Sequence, residues 1–253
     1  EEAYRPHLLQ NLSYHEIPAY KDTASGDAWP FVSQPQIGHA LWRAKGMVST
    51  GVVKVKGAGP YDAAMTGGLG SNGPFMLAYR TNAYNWLPVF VDLPPREDKN
   101  GSFVQQSALK CIWFRNEEER DLALSLLVTR WAFTWWAMTG DDFNVTGGML
   151  AAMPCPDDME GSVRDQILAL VPKLREAMKQ NLTWKWNGDR IGNWYMPGAR
   201  DVTEELDSLW GKCFMPDSNP EDRLRWLSEA FYFTVRTDLT SREASNKNDS
   251  DLE

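Results

Sequence analysis

Apolar runs with β character occupy the first half of the chain, and a three-to-four-residue apolar spacing takes over in the second. Residues up to about 36 are mixed polar and aromatic, broken by Pro18, Pro30 and Pro35, and read as loop with short strands. Residues 37–44 predict a short helix with Gly46 as its stop. The Val-rich run 47–56 predicts one strand or two, and a glycine-rich loop follows at 57–74. Further strands are expected at 74–81, 86–93 and 109–115, with a polar loop from Pro94 to Gly101 between the last two.

Asn116 then offers a helix cap, and Glu117, Glu118 and Glu119 suit the positive end of a helix dipole. The helix expected over Glu117–Met138 is apolar on nearly every side, so it belongs inside the fold, with Gly140 ending it. A second helix at 160–180 carries the stripe Val163, Ile167, Leu170, Leu174 and Met178, with Pro172 as a kink. A third at 201–213 aligns Val202, Leu206, Leu209 and Trp210. A fourth starts at Asn219-Pro220, a cap followed by proline at the first helical position, and buries Leu224, Leu227 and Phe231. The order predicts an α+β fold: a strand-rich recognition lobe at 1–115, a helical lobe at 116–238 and a disordered tail at 239–253.

The 253 residues are 43% hydrophobic, enough for a real core. Twelve tryptophans mostly fill such a core, the remainder serving as stacking surfaces. Cys111, Cys155 and Cys213 lie far apart and show no metal-ligand spacing, and only three histidines are present. The longest apolar stretch, Leu122 to Met138, contains Arg130 and two threonines and reads as a buried helix, so no membrane contact is expected. No secretion signal opens the chain, and a bacterial or archaeal cytoplasm is the expected location. The net charge of −8 runs against a free-standing nucleic-acid binder, unless basic residues gather on one face or a partner domain supplies them.

Catalytic signatures are missing. The run Thr66-Gly-Gly-Leu-Gly-Ser-Asn-Gly lacks the Gly-Lys-Ser/Thr ending of a phosphate-binding loop. No nucleophile elbow occurs, and Asp141-Asp142 and Asp157-Asp158 are adjacent pairs whose side chains diverge on regular elements. What the sequence does offer is recognition chemistry. Lys54 and Lys56 alternate on one strand face, and Asn72 lies in the glycine-rich loop. Tyr79, Arg80, Asn82, Tyr84, Asn85 and Trp86 cluster between two strands. Arginine and asparagine pair bidentately with guanine and adenine edges, and aromatic rings can stack on an extruded base.

The most specific stretch runs from Leu109 to Pro156. A strand leads into a helix with Trp131, Phe133, Trp135 and Trp136. A polar turn with Asp142 and Asn144 follows, and Met153-Pro154-Cys155-Pro156 closes it. This stretch resembles the C-terminal region of the adenine-N6 DNA methyltransferases of type IIG and related restriction–modification or phage-defence systems. Leu127-Val128-Thr129-Arg130 stands where that family carries Leu-Asn-Ser-Ser. Residues Tyr195 to Trp210, ending Arg-Asp-Val-Thr-Glu-Glu-Leu-Asp-Ser-Leu-Trp, are similar to the family's closing helix.

The resemblance implies a target-recognition domain that binds duplex DNA and positions a base for a methyltransferase catalytic domain in the same parent protein or complex. S-adenosylmethionine would bind that other domain and base flipping would serve it; this chain itself carries no cofactor and no catalytic residue by that reading. The Asn/Asp-Pro-Pro-Tyr/Phe methyltransferase motif is absent, Leu93-Pro94-Pro95-Arg96 being different. The expected DNA contacts are Lys54, Lys56, Asn72, Tyr79, Arg80, Asn82, Asn85, Trp86, Asp142 and Asn144, with no metal site. Two alternatives stand beside it. One is a carbohydrate- or protein-binding module, favoured if aromatics line an exposed strand face. The other is an unrecognised hydrolase or transferase around Tyr61 and Asp62.

Overall fold

The structure is a computed structural model, and it describes residues 34–47, 58–60, 75–83, 86–104, 109–140, 144–156 and 159–231. Apart from Met47, which is helical, the expected strand at 47–56 lies outside the described residues, as do most of the glycine-rich loop and the 239–253 tail.

The fold is α+β, with two small antiparallel sheets. Helix α1 spans Pro35–Met47. Strands β1 (Ala58–Pro60), β2 (Met76–Arg80), β3 (Val89–Phe90) and β5 (Leu109–Trp113) form the first sheet in the order β1-β5-β2-β3. In β2, Leu77, Ala78 and Tyr79 are all buried. This sheet is therefore covered on both faces, which explains the apolar runs of its strands.

Helix α2 (Glu117–Leu127) starts where expected: the Asn116 side chain accepts the Glu119 backbone N–H at 2.8 Å. The single helix expected over Glu117–Met138 is two. The chain breaks at Val128-Thr129 and resumes as α3 (Arg130–Thr139). Thr129 is extended, with φ −83 and ψ 163, and its hydroxyl accepts the Ala132 N–H. A second acceptor for the new N-terminus comes from far away, because Asp207 Oδ1 takes the Arg130 backbone N–H at 2.9 Å. Two caps at one point satisfy donors that a continuous helix would have paired internally.

Helix α4 (Gly147–Ala151) is short, and α5 (Gly161–Gln180) runs on through Pro172. Its buried stripe is the expected one, Val163, Ile167, Leu170, Leu174 and Met178, with Val171 added. A hairpin then interrupts the helical half: β6 (Leu182–Asn187) and β7 (Asp189–Trp194), turning at Gly188 with φ +72. Strand β4 (Arg96–Glu97) pairs with β7, giving the second sheet the order β4-β7-β6. After a 3-10 turn at Met196–Ala199 come α6 (Arg200–Phe214) and α7 at 220–231. The Asn219 side chain accepts the Glu221 N–H at the start of α7, as the Asn-Pro pair predicts.

One core cluster extends from Ile37 to Ala230. Helix α3 lies at its centre: Trp131, Phe133, Trp135 and Trp136 are each at most 2% exposed. The aromatic run is core, not a surface platform. Among the described residues no helix is long and apolar enough to cross a membrane.

Candidate nucleic-acid interface

Five of the ten residues expected to touch DNA, Tyr79, Arg80, Asn82, Trp86 and Asn144, are described. Lys54, Lys56, Asn72, Asn85 and Asp142 lie outside the described residues. The five occupy the end of β2, the segment after it and the turn that follows α3.

Tyr79 is buried, and burial pushes its hydroxyl above the ordinary tyrosine value, with the Gly147 backbone as a hydrogen-bond neighbour. It packs and orients; it presents no ring to solvent. Arg80, the last residue of β2, is largely buried as well, which holds its guanidinium below the usual arginine value. It donates to the Gly192 carbonyl at 2.9 Å and to the Asn193 side chain, so it ties the first sheet to the β6–β7 hairpin.

Asn82 and Asn144 are brought together. They form an antiparallel bridge between segments far apart in sequence, and Val145 N–H donates to the Thr81 carbonyl at 2.8 Å beside it. The turn after α3 is held from below, because Trp136 Nε1 donates to the Asn144 carbonyl at 2.9 Å. Thr146 then caps α4 by accepting the Met149 N–H. Asn144 is exposed and Asn82 half-buried, so two amide side chains from separate segments lie side by side at the surface.

Trp86 is half-buried and packs edge-on against Phe90, with ring centroids 5.9 Å apart. It also walls a cavity of about 310 Å³, together with Phe133, Tyr195, Met196 and Phe231. At the cavity floor Arg130 Nε meets Asp207 Oδ2 at 2.7 Å, and Arg130 Nη1 donates to the Ser228 hydroxyl. Asp207 is 1% exposed, and burial pushes its carboxyl up to about 6 against the pull of Arg130. The Asp207 carbonyl also accepts Trp131 Nε1 at 2.9 Å. This pair joins the stretches 109–156 and 195–210, one through Arg130 and the other through Asp207. Its acceptors are consumed by the α3 N-terminus, so it is a structural clasp at the floor of the cavity.

The hairpin is the part of this surface that sequence reasoning missed. Its signal was present: Asn187-Gly188 between alternating apolar and polar residues is a strong hairpin indicator. Among the described residues Lys185 on β6 is exposed and takes part in no ion pair, whereas Arg96 pairs with Asp189 and Arg190 with Glu97. Among the described residues no three or more His, Cys, Asp or Glu side chains converge as metal ligands. No protein-family model, no curated protein and no solved structure matches the chain.

Proposed function

We propose that this chain is a duplex-DNA recognition module, which selects a site and positions a target base for a methyltransferase catalytic domain outside it. S-adenosylmethionine belongs to that domain in this reading. The observation that carries the proposal is the Asn82–Asn144 bridge. Two segments singled out separately, one for its Arg/Asn content and one for its polar turn, meet and present adjacent amides. Bridged residues have Cα atoms about 4.5–5.5 Å apart, and successive bases on a strand are about 3.4 Å apart. Neighbouring asparagines can therefore reach neighbouring base edges, and adenine is the base that asparagine reads bidentately. In this mechanism Arg80 is a positioning residue: it fixes the hairpin against β2, and Lys185 on that hairpin serves as a phosphate contact.

The test is selection from a randomised duplex pool, followed by the same selection with Asn82→Ala and Asn144→Ala. One enriched sequence is expected, with each variant relaxing one position at a cost of about 1–3 kcal/mol. A pool that stays random with the parent chain, or variants that select the same sequence equally well, would contradict the proposal.

A further inference from the structure

All four exposed large apolar side chains among the described residues lie on or directly beside the β4–β7–β6 sheet: Phe103, Val104, Trp186 and Tyr195. Phe103 and Trp186 stand out, at 75% and 73% exposure. The pairing register places them in one row. Phe103 bridges Glu97, Glu97 pairs with Arg190, and Arg190 pairs with Trp186. Directly opposed residues on antiparallel strands share a face, so these four side chains project to one side of the sheet. Strand spacings of about 4.8 Å put the two rings roughly 14 Å apart. Trp184 shares the face, two positions before Trp186, and the Arg190 guanidinium lies over its ring at 4.2 Å from the centroid.

Between the rings is a closed charge pair, Arg190 Nη1 to Glu97 Oε2 at 3.0 Å. Among the described residues that pair engages one nitrogen of Arg190 and one oxygen of Glu97, leaving further donors on Arg190 and the second carboxylate oxygen. The row is thus ring, neutralised polar pair, ring, and this chemistry discriminates among partners. A polyanion needs unpaired cations on the face itself, and there Arg190 is paired with Glu97, while Lys185 alternates to the opposite face of β6. A protein partner would seal a charged pair into its interface, where cores are depleted of charge and desolvation is costly. A chain of neutral sugars suits both parts: apolar ring faces lie on Phe103 and Trp186, and hydroxyls hydrogen-bond to Arg190 and Glu97 without any net charge being buried.

We propose that this face is a binding platform for a neutral, extended oligosaccharide, of the flat β-1,4-linked hexopyranose kind. The proposed DNA contacts use the Asn82–Asn144 edge and Lys185 on the opposite face of β6, so this platform stands independently of them. It is tested by calorimetric titration of the whole chain with cellohexaose, alongside Trp186→Ala and Phe103→Ala. Both side chains are mostly in solvent, so thermal midpoints should match the parent and report intact folding. The expected result is saturable binding that each variant weakens about tenfold or more, as loss of a stacking ring predicts. No binding of cellohexaose, or binding that survives both substitutions, overturns the proposal. So does a Trp186-dependent interaction found only with single-stranded oligothymidylate, or only as self-association; those results reassign the face to base stacking or to a second copy.

Discussion

Asp207 shows how much of this molecule rests on one side chain. Its carboxylate accepts from both the backbone and the side chain of Arg130, and its carbonyl accepts from Trp131. Removing one member of a buried ion pair strands the other, so Asp207→Ala should cost about 3–5 kcal/mol in urea unfolding. A loss under about 1 kcal/mol would mean that water replaces the carboxylate freely. The pair also has a pH signature. Burial raises the folded carboxyl to about 6, above the ordinary aspartate value near 3.9. Between those limits the unfolded chain releases its proton first, so rising pH drains stability through this group, and falling pH restores it. Asp207→Asn should flatten that limb of the stability profile between about pH 4 and 6; an unchanged slope relative to the parent would contradict the assignment. None of this was legible in the sequence. Asp207 reads there as one polar position on an amphipathic helix, and its partner is 77 residues away.

At the scale of elements, local signals did most of what they could. Asn116 and Asn219 cap where their side-chain chemistry says they should, and the stripe on α5 buries as its spacing requires. The break at Val128-Thr129 was hidden, since a buried helix on each side shows the same apolar run and the deciding cap arrives from α6. The β6–β7 hairpin was missed for a different reason: its turn signal lies in a stretch dominated by helical neighbours. Strand β4 is only two residues long and exists because β7 is there to pair with it. Gly192 permits that pairing, because a Cβ on it would stand 2.6 Å from the Pro95 carbonyl and 3.0 Å from Leu182. Gly192→Ala should therefore lower stability by about 1–3 kcal/mol by forcing β7 away from the β4 side. Differential scanning calorimetry showing an unchanged midpoint would contradict the close approach. Asn116→Ala gives a milder comparison, with an expected loss of about 0.5–2 kcal/mol for the missing cap.

At the scale of the whole molecule, the stretches 109–156 and 195–210, singled out in the sequence, meet in one core, clasped by Arg130 and Asp207. The aromatic run and the closing helix are thereby accounted for as packing. In the proposed function, recognition would fall to the segments that this core holds at the surface, the Asn82–Asn144 edge and the hairpin fixed by Arg80. The candidate site was legible as residue types but not as an arrangement: Tyr79 and Arg80 turned inward, whereas Asn82 and Asn144 came together. The net charge of −8 makes the electrostatics a demanding test, because any phosphate grip must come from locally placed lysines. Fluorescence anisotropy with short duplex DNA across a salt series measures that grip itself. For a DNA recognition module, saturable binding is expected at low salt that weakens linearly in log–log form as salt rises, with a slope near −0.9 per phosphate contact, and that is reduced by Asn82→Ala and Asn144→Ala. Absence of binding at low salt, or binding indifferent to both salt and the two asparagines, would contradict it.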